Sequence, residues 1–155
     1  TLIGLKENGD AIVHNDIQIH LLASPRRRDP IYDAVLLDDG DRSVLVAPHG
    51  LDVTSSHVSI VQTASPLKLL IAPFDHYQLP RILGGTIKPG IPGLQRLVDH
   101  FAPDVVIQSH DENKHARGLV SHLATIRAFS DSDLSTHAWL AQRHHSIPNY
   151  HPVTF

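Results

Sequence analysis

The sequence contains no cysteine and no methionine. Without cysteine there is no disulfide, no thiolate metal ligand and no cysteine nucleophile. A basic excess is lacking too: 13 Lys and Arg stand against 16 Asp and Glu, a formal net charge of −3. That balance argues against the basic footprint with which proteins hold nucleic acid or anionic membranes. The single basic cluster, Arg26-Arg27-Arg28, reads as a solvated turn. No apolar run approaches the roughly 20 residues of a membrane span, and no signal-like segment opens the chain, so the cytoplasm is the default expectation. Thr1 stands where an initiator methionine would, which removal of the initiator before a small residue would explain and which also fits the expectation that the chain is a piece of a longer protein.

What is present is 155 residues, read as a single domain over 1–155, and 13 histidines, as many as Lys and Arg together. A chain of about this length buries roughly 68–70% of its unfolded surface and can build a core without staples.

Ile17, Ile19 and Leu21 alternate with their neighbours as in a half-buried strand. Ile31 to Leu37 and Ser43 to Ala47 flank Asp38-Asp39-Gly40-Asp41, a hairpin signal because Gly40 tolerates positive φ. Leu69 to Ala72 and Asp104 to Gln108 are short apolar runs of the kind buried on both faces of a parallel sheet. Between them, Pro73 to Gly90 reads as a loop. Leu94, Leu97, Val98 and Phe101 make an i, i+3, i+4, i+7 helical stripe, with Pro92 near its first turn and Pro103 closing it. Leu119, Val120, Leu123 and Ile126 suggest a second helix. A third begins near Ser130 with Asp133 as its capping-box partner and Leu134, Ala138 and Ala141 on its apolar side. The tail 143–155 is expected to be irregular. The sum is an α/β chain with a mixed sheet.

Three strand ends run into polar loops: Pro48-His49-Gly50, Asp75-His76 and His110-Asp111. In α/β sheets, sites gather outside the carboxyl ends of strands. Imidazole and carboxylate are the ligands zinc accepts when cysteine is missing, so His49 and His110 are candidate metal ligands if their strands are neighbours. Ser109-His110-Asp111 has triad residue types, but adjacent residues cannot line up as nucleophile, base and orienter. The run Gly84 to Gly90 lacks the order of a phosphate loop and reads as a mobile connection, although it leads to a helix N-terminus where anions are favoured.

From Tyr32 to Ala124 the chain resembles the C-terminal half of metallo-β-lactamase-fold proteins, in particular a fungal and plant hydrolase-like subgroup. The residues that carry the likeness are Val44-Leu45-Val46-Ala47-Pro48-His49-Gly50, Leu69-Leu70-Ile71-Ala72-Pro73 with Gln78-Leu79-Pro80, and Gly90 with the helix after it. Val105-Val106-Ile107-Gln108-Ser109-His110-Asp111-Glu112-Asn113-Lys114 followed by Gly118-Leu119-Val120 completes the set. The resemblance implies half of an αββα sandwich, with helices on one face of the sheet and the other face meant for a second sheet. It also implies a zinc site at the edge between the halves. The His-x-His-x-Asp-His cluster of that family is absent from this sequence. His110 matches the last histidine ligand of the family, and His49 falls where most members have an aspartate. A carboxylate can bridge two metals and a neutral imidazole cannot, so one zinc ion, or none in this chain alone, is expected rather than two.

Two functions follow as expectations. One is a metal-dependent hydrolase, with His49 and His110 toward zinc and Asp75, His76 and Asp111 in catalytic support or proton transfer. The other is a metal-free domain of the same fold acting in binding or assembly. Either way the bare sheet face calls for a partner, the missing N-terminal half or a second copy of the chain, and not nucleic acid or membrane.

Overall fold

The computed structural model of the protein describes residues 11–25, 32–109 and 122–144. In chain order the elements are β1 (Ile12–His14), β2 (Ile17–Leu22), β3 (Ala34–Asp38), β4 (Ser43–Val46), α1 (Ser55–Thr63), β5 (Leu67–Ala72), β6 (His76–Gln78), β7 (Thr86–Pro89), α2 (Gly90–Phe101), β8 (Val105–Gln108), β9 (Thr125–Arg127), α3 (Asp131–Thr136) and α4 (Ala138–Ala141).

The main sheet has the order β1-β2-β3-β4-β5-β8. Its first four strands are antiparallel hairpins. Asn15 and Asp16, at φ 47° and 65°, turn β1 into β2, a left-handed pair of the sort short hairpins need. The expected turn at Asp38–Asp41 joins β3 to β4, with Gly40 at φ 89°. The Asp38 carboxylate accepts the Gly40 N–H at 2.9 Å and the Ser65 N–H at 3.0 Å. Burial works against its charge, but these amide donors outweigh it and hold the carboxyl below its usual range.

From β4 onward the pairing is parallel, β4 to β5 and β5 to β8, so each connection must cross over one face. α1 and α2 make those crossovers. Leu22, Ala34, Leu36, Leu45, Leu70, Ala72 and Val106 form one buried cluster with Val61 of α1, Leu94, Leu97, Val98 and Phe101 of α2 and Leu140 of α4. The helical stripe expected over 94–101 is therefore buried as a unit.

The opposite face is aliphatic as well. Strand register aligns Ile19, Leu37, Val44, Leu69 and Val105 in one row and Leu21, Val35, Val46, Ile71 and Ile107 in the next. None of these ten belongs to the helix-side cluster, and all but Ile107 keep partial exposure. The expectation that the runs at 69–72 and 104–108 are buried on both faces is corrected accordingly. So is the burial of Ile17, Ile19 and Leu21: it is Leu22 that enters the core. Period-2 alternation cannot choose between two faces that are both apolar.

Other corrections concern the second half. The stretch 73–90 is not a loop: β6 and β7 are an antiparallel pair within it, and with β9 they make a second sheet of order β7-β6-β9. The Gly84–Gly90 connection accordingly contains a strand, with Gly84 and Gly85 at φ 120° and 72° in the turn before it. Ile126, expected on a helix, lies in β9 and is 53% exposed; Leu119 and Val120 lie outside the described residues. The Ser130–Asp133 capping box is present. The helix it starts ends at Thr136, and Leu140 rather than Ala138 or Ala141 is the buried residue beyond it.

α1 has no counterpart in the sequence reading. Its sequence, SSHVSIVQT, is rich in serine and β-branched residues, which are indifferent helix formers. Its start is fixed by a reciprocal cap: Thr54 Oγ1 accepts the His57 N–H at 3.3 Å, and His57 Nδ1 accepts the Thr54 N–H at 3.2 Å. Because Nδ1 is the acceptor there, Nε2 carries the proton, which it donates to the Ala23 carbonyl at 3.0 Å. The fully buried His57 thus ties α1 to the end of β2.

Candidate functional site

The three strands that end in His or Asp-His are neighbours, and their carboxyl ends are level. The Ala47 N–H donates to the Ile71 carbonyl and the Ser109 N–H to the Ala72 carbonyl, both at 2.8 Å. The Ser109 hydroxyl then reaches across the end of β5 to the Pro48 carbonyl at 3.0 Å. The residues immediately before positions 49 and 110 are therefore hydrogen-bonded to each other. His110 and Asp111 themselves lie outside the described residues.

His49 sits in a tight turn after β4, closed by the Gly50 N–H donating to the Ala47 carbonyl at 2.9 Å. Gly50 adopts φ 85°, a conformation glycine accepts without strain. The imidazole is half-buried, with Nδ1 shielded from solvent. The turn is held from the other side by Pro89. A Cβ on Gly50 would come within 3.0 Å of the Pro89 ring, and one on Gly93 within 2.3 Å. Two glycines on separate elements thus form a slot for one proline, locking the start of α2 to the His49 turn.

Asp75 accepts the Phe129 N–H at 2.7 Å, anchoring the segment after β9 to the end of β5. His76 begins β6, opposite Pro89 and Arg127, with Nε2 3.3 Å from Gln78 Oε1. It lines a cavity of about 170 Å³ with Ile91, Phe74 and Phe129, whose rings meet edge-on with centroids 4.9 Å apart. His49 lines a different cavity, of about 160 Å³, with Tyr32, Thr86 and Arg96. The structure thus brings His49 and the Asp75-His76 pair to one rim of the sheet but opens the two histidines onto separate hollows.

Among the described residues no group of three or more His, Asp or Glu lies close enough to hold a metal ion. The described residues alone do not make a metal centre. Arg96 and Tyr32, which sequence reading passed over, belong to the rim as well. Arg96 carried no signal beyond its place on the polar side of the α2 stripe.

No protein-family model matches the chain, and no curated protein does. Solved structures do match. Igni18, a metallo hydrolase from Ignicoccus hospitalis, aligns over 99% of this chain and 60% of its own, with a TM-score of 0.60 and 16% identity. CmlA, a diiron β-hydroxylase from Streptomyces venezuelae, aligns over 90% of this chain and 29% of its own, with a TM-score of 0.56 and 12% identity. The isothiocyanate hydrolase from Delia radicum gut bacteria aligns over 89% and 56%, with a TM-score of 0.54 and 11% identity.

The fold is of the metallo-β-lactamase type.

At these identities the likeness is one of fold. The chain spans between 25% and 60% of the length of these and similar solved structures. The mixed sheet with helices on one face, expected from the resemblance, is the observed architecture. No helix among the described residues is long and apolar enough to cross a membrane.

Proposed function

We propose that this chain supplies one rim of the active site of a metal-dependent hydrolase of the metallo-β-lactamase type. The observation that carries the reading is the level alignment of β4, β5 and β8, with the Ser109 hydroxyl on the Pro48 carbonyl. It supports a common edge for His49 and His110, the metal-side residues of this proposal. Neighbours of the same fold include a metallo hydrolase and a diiron enzyme. Imidazole and carboxylate donors suit zinc, which would supply a water acidified to a pKa of about 7. One ion is proposed rather than two, because the imidazole at 49 offers a single lone pair where a carboxylate could bridge. Ligands beyond this chain's His49 and His110 are needed to complete such a site. Asp111 and His76 are the proposed proton-transfer residues, and Asp75 acts by holding the Phe129 segment in place. The C-terminal-half assignment and the fungal and plant subgroup belong to this proposal too, as does a cytoplasmic location.

The two aliphatic rows on the open sheet face favour a partner. We place there a second β-sheet, from the remainder of a complete fold of this type; Igni18 has part of its length outside the match. The same face supports a second reading, in which the domain serves assembly without catalysis.

Elemental analysis of this chain purified together with the part that supplies those further ligands separates the two. Near-stoichiometric zinc, lost in His110→Ala, supports the hydrolase. Iron in its place would keep the site and change the ion. Protein that takes up neither metal, and gains no thermal stability from either, overturns the hydrolase reading and leaves assembly.

A further inference from the structure

The cavity beside His49 has the build of a binding site in its own right. It encloses about 160 Å³ between the turn from His49 to Asp52, Tyr32, Thr86, Pro89 and Arg96. Its walls are fixed before any ligand arrives. The Tyr32 hydroxyl donates to the Thr86 carbonyl at 3.1 Å, joining two walls 54 positions apart in sequence. Pro89 is wedged between Gly50 and Gly93, so the turn and the helix that carry the remaining walls cannot drift apart.

Arg96 is the group that calls for a ligand. It projects from α2, it is exposed, and no hydrogen bond or ion pair engages it among the described residues. One of its terminal nitrogens lies over Gly93, 3.7 Å from where a Cβ would stand, which lays the guanidinium beside Pro89. Asp52 lines the same cavity, yet it makes no ion pair with Arg96 within 4.0 Å. A guanidinium is a rigid planar fork of donors that matches the two oxygens of a carboxylate or phosphate. In a chain of net charge −3, this one is left open at the mouth of a preformed cavity.

We infer that the cavity is a subsite for a small oxyanion group, carboxylate or phosphate, gripped by Arg96 next to His49. Its role as a specificity element, selecting substrates that carry an anionic group beside the scissile bond, rests on the hydrolase reading; the binding itself does not. A 160 Å³ space admits such a group and a short attached chain, not a large ligand. Asp52 opposes an anion there, though its exposure lets solvent screen the effect.

The test is titration of the full chain with inorganic phosphate and, separately, with acetate. It is done in chelator at low ionic strength and followed by the NMR resonances of the Arg96 side chain and of Gly50. Saturable shifts are expected with at least one of the two anions, and the preferred one names the ligand class. Arg96→Gln keeps similar helix propensity and should weaken binding roughly tenfold or more, the loss of a charge-assisted hydrogen bond. Arg96→Lys, which keeps the charge and loses the fork, should fall between. Asp52→Asn should tighten binding. Shifts that stay linear with both anions, or that survive Arg96→Gln unchanged, overturn the inference. Because metal is excluded, this result is independent of the elemental analysis: either reading can fail while the other stands.

Discussion

The Ser109 hydroxyl donates to the carbonyl oxygen of Pro48 across 3.0 Å, joining residues 61 positions apart at the carboxyl ends of β8 and β4. Ser109 is buried, so the bond is shielded and its loss leaves a carbonyl short of a partner. Ser109→Ala is expected to cost about 1 kcal/mol of stability, read from the midpoint of chemical denaturation at unchanged slope. Under the proposed metal site it should also weaken metal retention by roughly tenfold, the size of effect seen when a group that supports ligands is removed. Full retention would show that the bond serves the fold alone.

His57 makes stability depend on pH. Burial drives its pKa below the ordinary histidine value, against smaller opposing contributions from the Ala23 carbonyl and Asp33. The neutral ring is required, because Nδ1 accepts the Thr54 N–H. Below about pH 6.5 the unfolded chain takes up a proton that the folded chain refuses, so this contribution to stability falls as pH falls. Denaturation between pH 7.5 and 5.5 should show the decline for the wild type, with a shallower slope for His57→Gln. Equal slopes would remove His57 as its source.

The slot around Pro89 predicts a sharp local intolerance. An alanine at 93 would bring its Cβ within 2.3 Å of the Pro89 ring, and overpacking of this sort typically costs about 1–3 kcal/mol. Pro89→Ala should recover part of that loss in the double variant, since the two sites are in contact. Thermal melts of the four proteins complete the cycle; additive effects would mean the clash is relieved elsewhere.

The open sheet face predicts association. Val46 lies in the middle of the row Leu21, Val35, Val46, Ile71 and Ile107. Nine of the ten residues in the two rows keep partial exposure, and a contiguous apolar face marks an interaction site. Sedimentation of the chain alone should show concentration-dependent self-association, reduced by Val46→Glu with little change in the circular dichroism spectrum. A clean monomer at all concentrations would mean the face needs no cover.

Much of the candidate rim was legible in the sequence because its signals are local. The turns after β4 and β5 announce themselves by Pro, Gly and His at the ends of apolar runs, and the strands that carry them are neighbours in the sheet. The hairpin strands at 76–89 were not legible. β6 is three residues long and β7 four, too short for a periodic pattern, and they exist because β6 pairs with β7 on one side and with β9 on the other. α1 was missed for a related reason: its weak propensity is overridden by the cap at Thr54 and by the contact of His57 with Ala23.

By itself, the sequence determined what hydrogen bonds and side chains within a few positions can decide. These are the Asp-Gly hairpin, the stripe of α2, the Ser130 cap, and an α/β alternation that makes part of the sheet parallel. Tertiary structure alone decided which face of β2 is core, which strand ends meet, and that Gly50 and Gly93 close on one proline. Those outcomes depend on groups far apart along the chain, and only the packed sheet, through its register, brings them within contact distance.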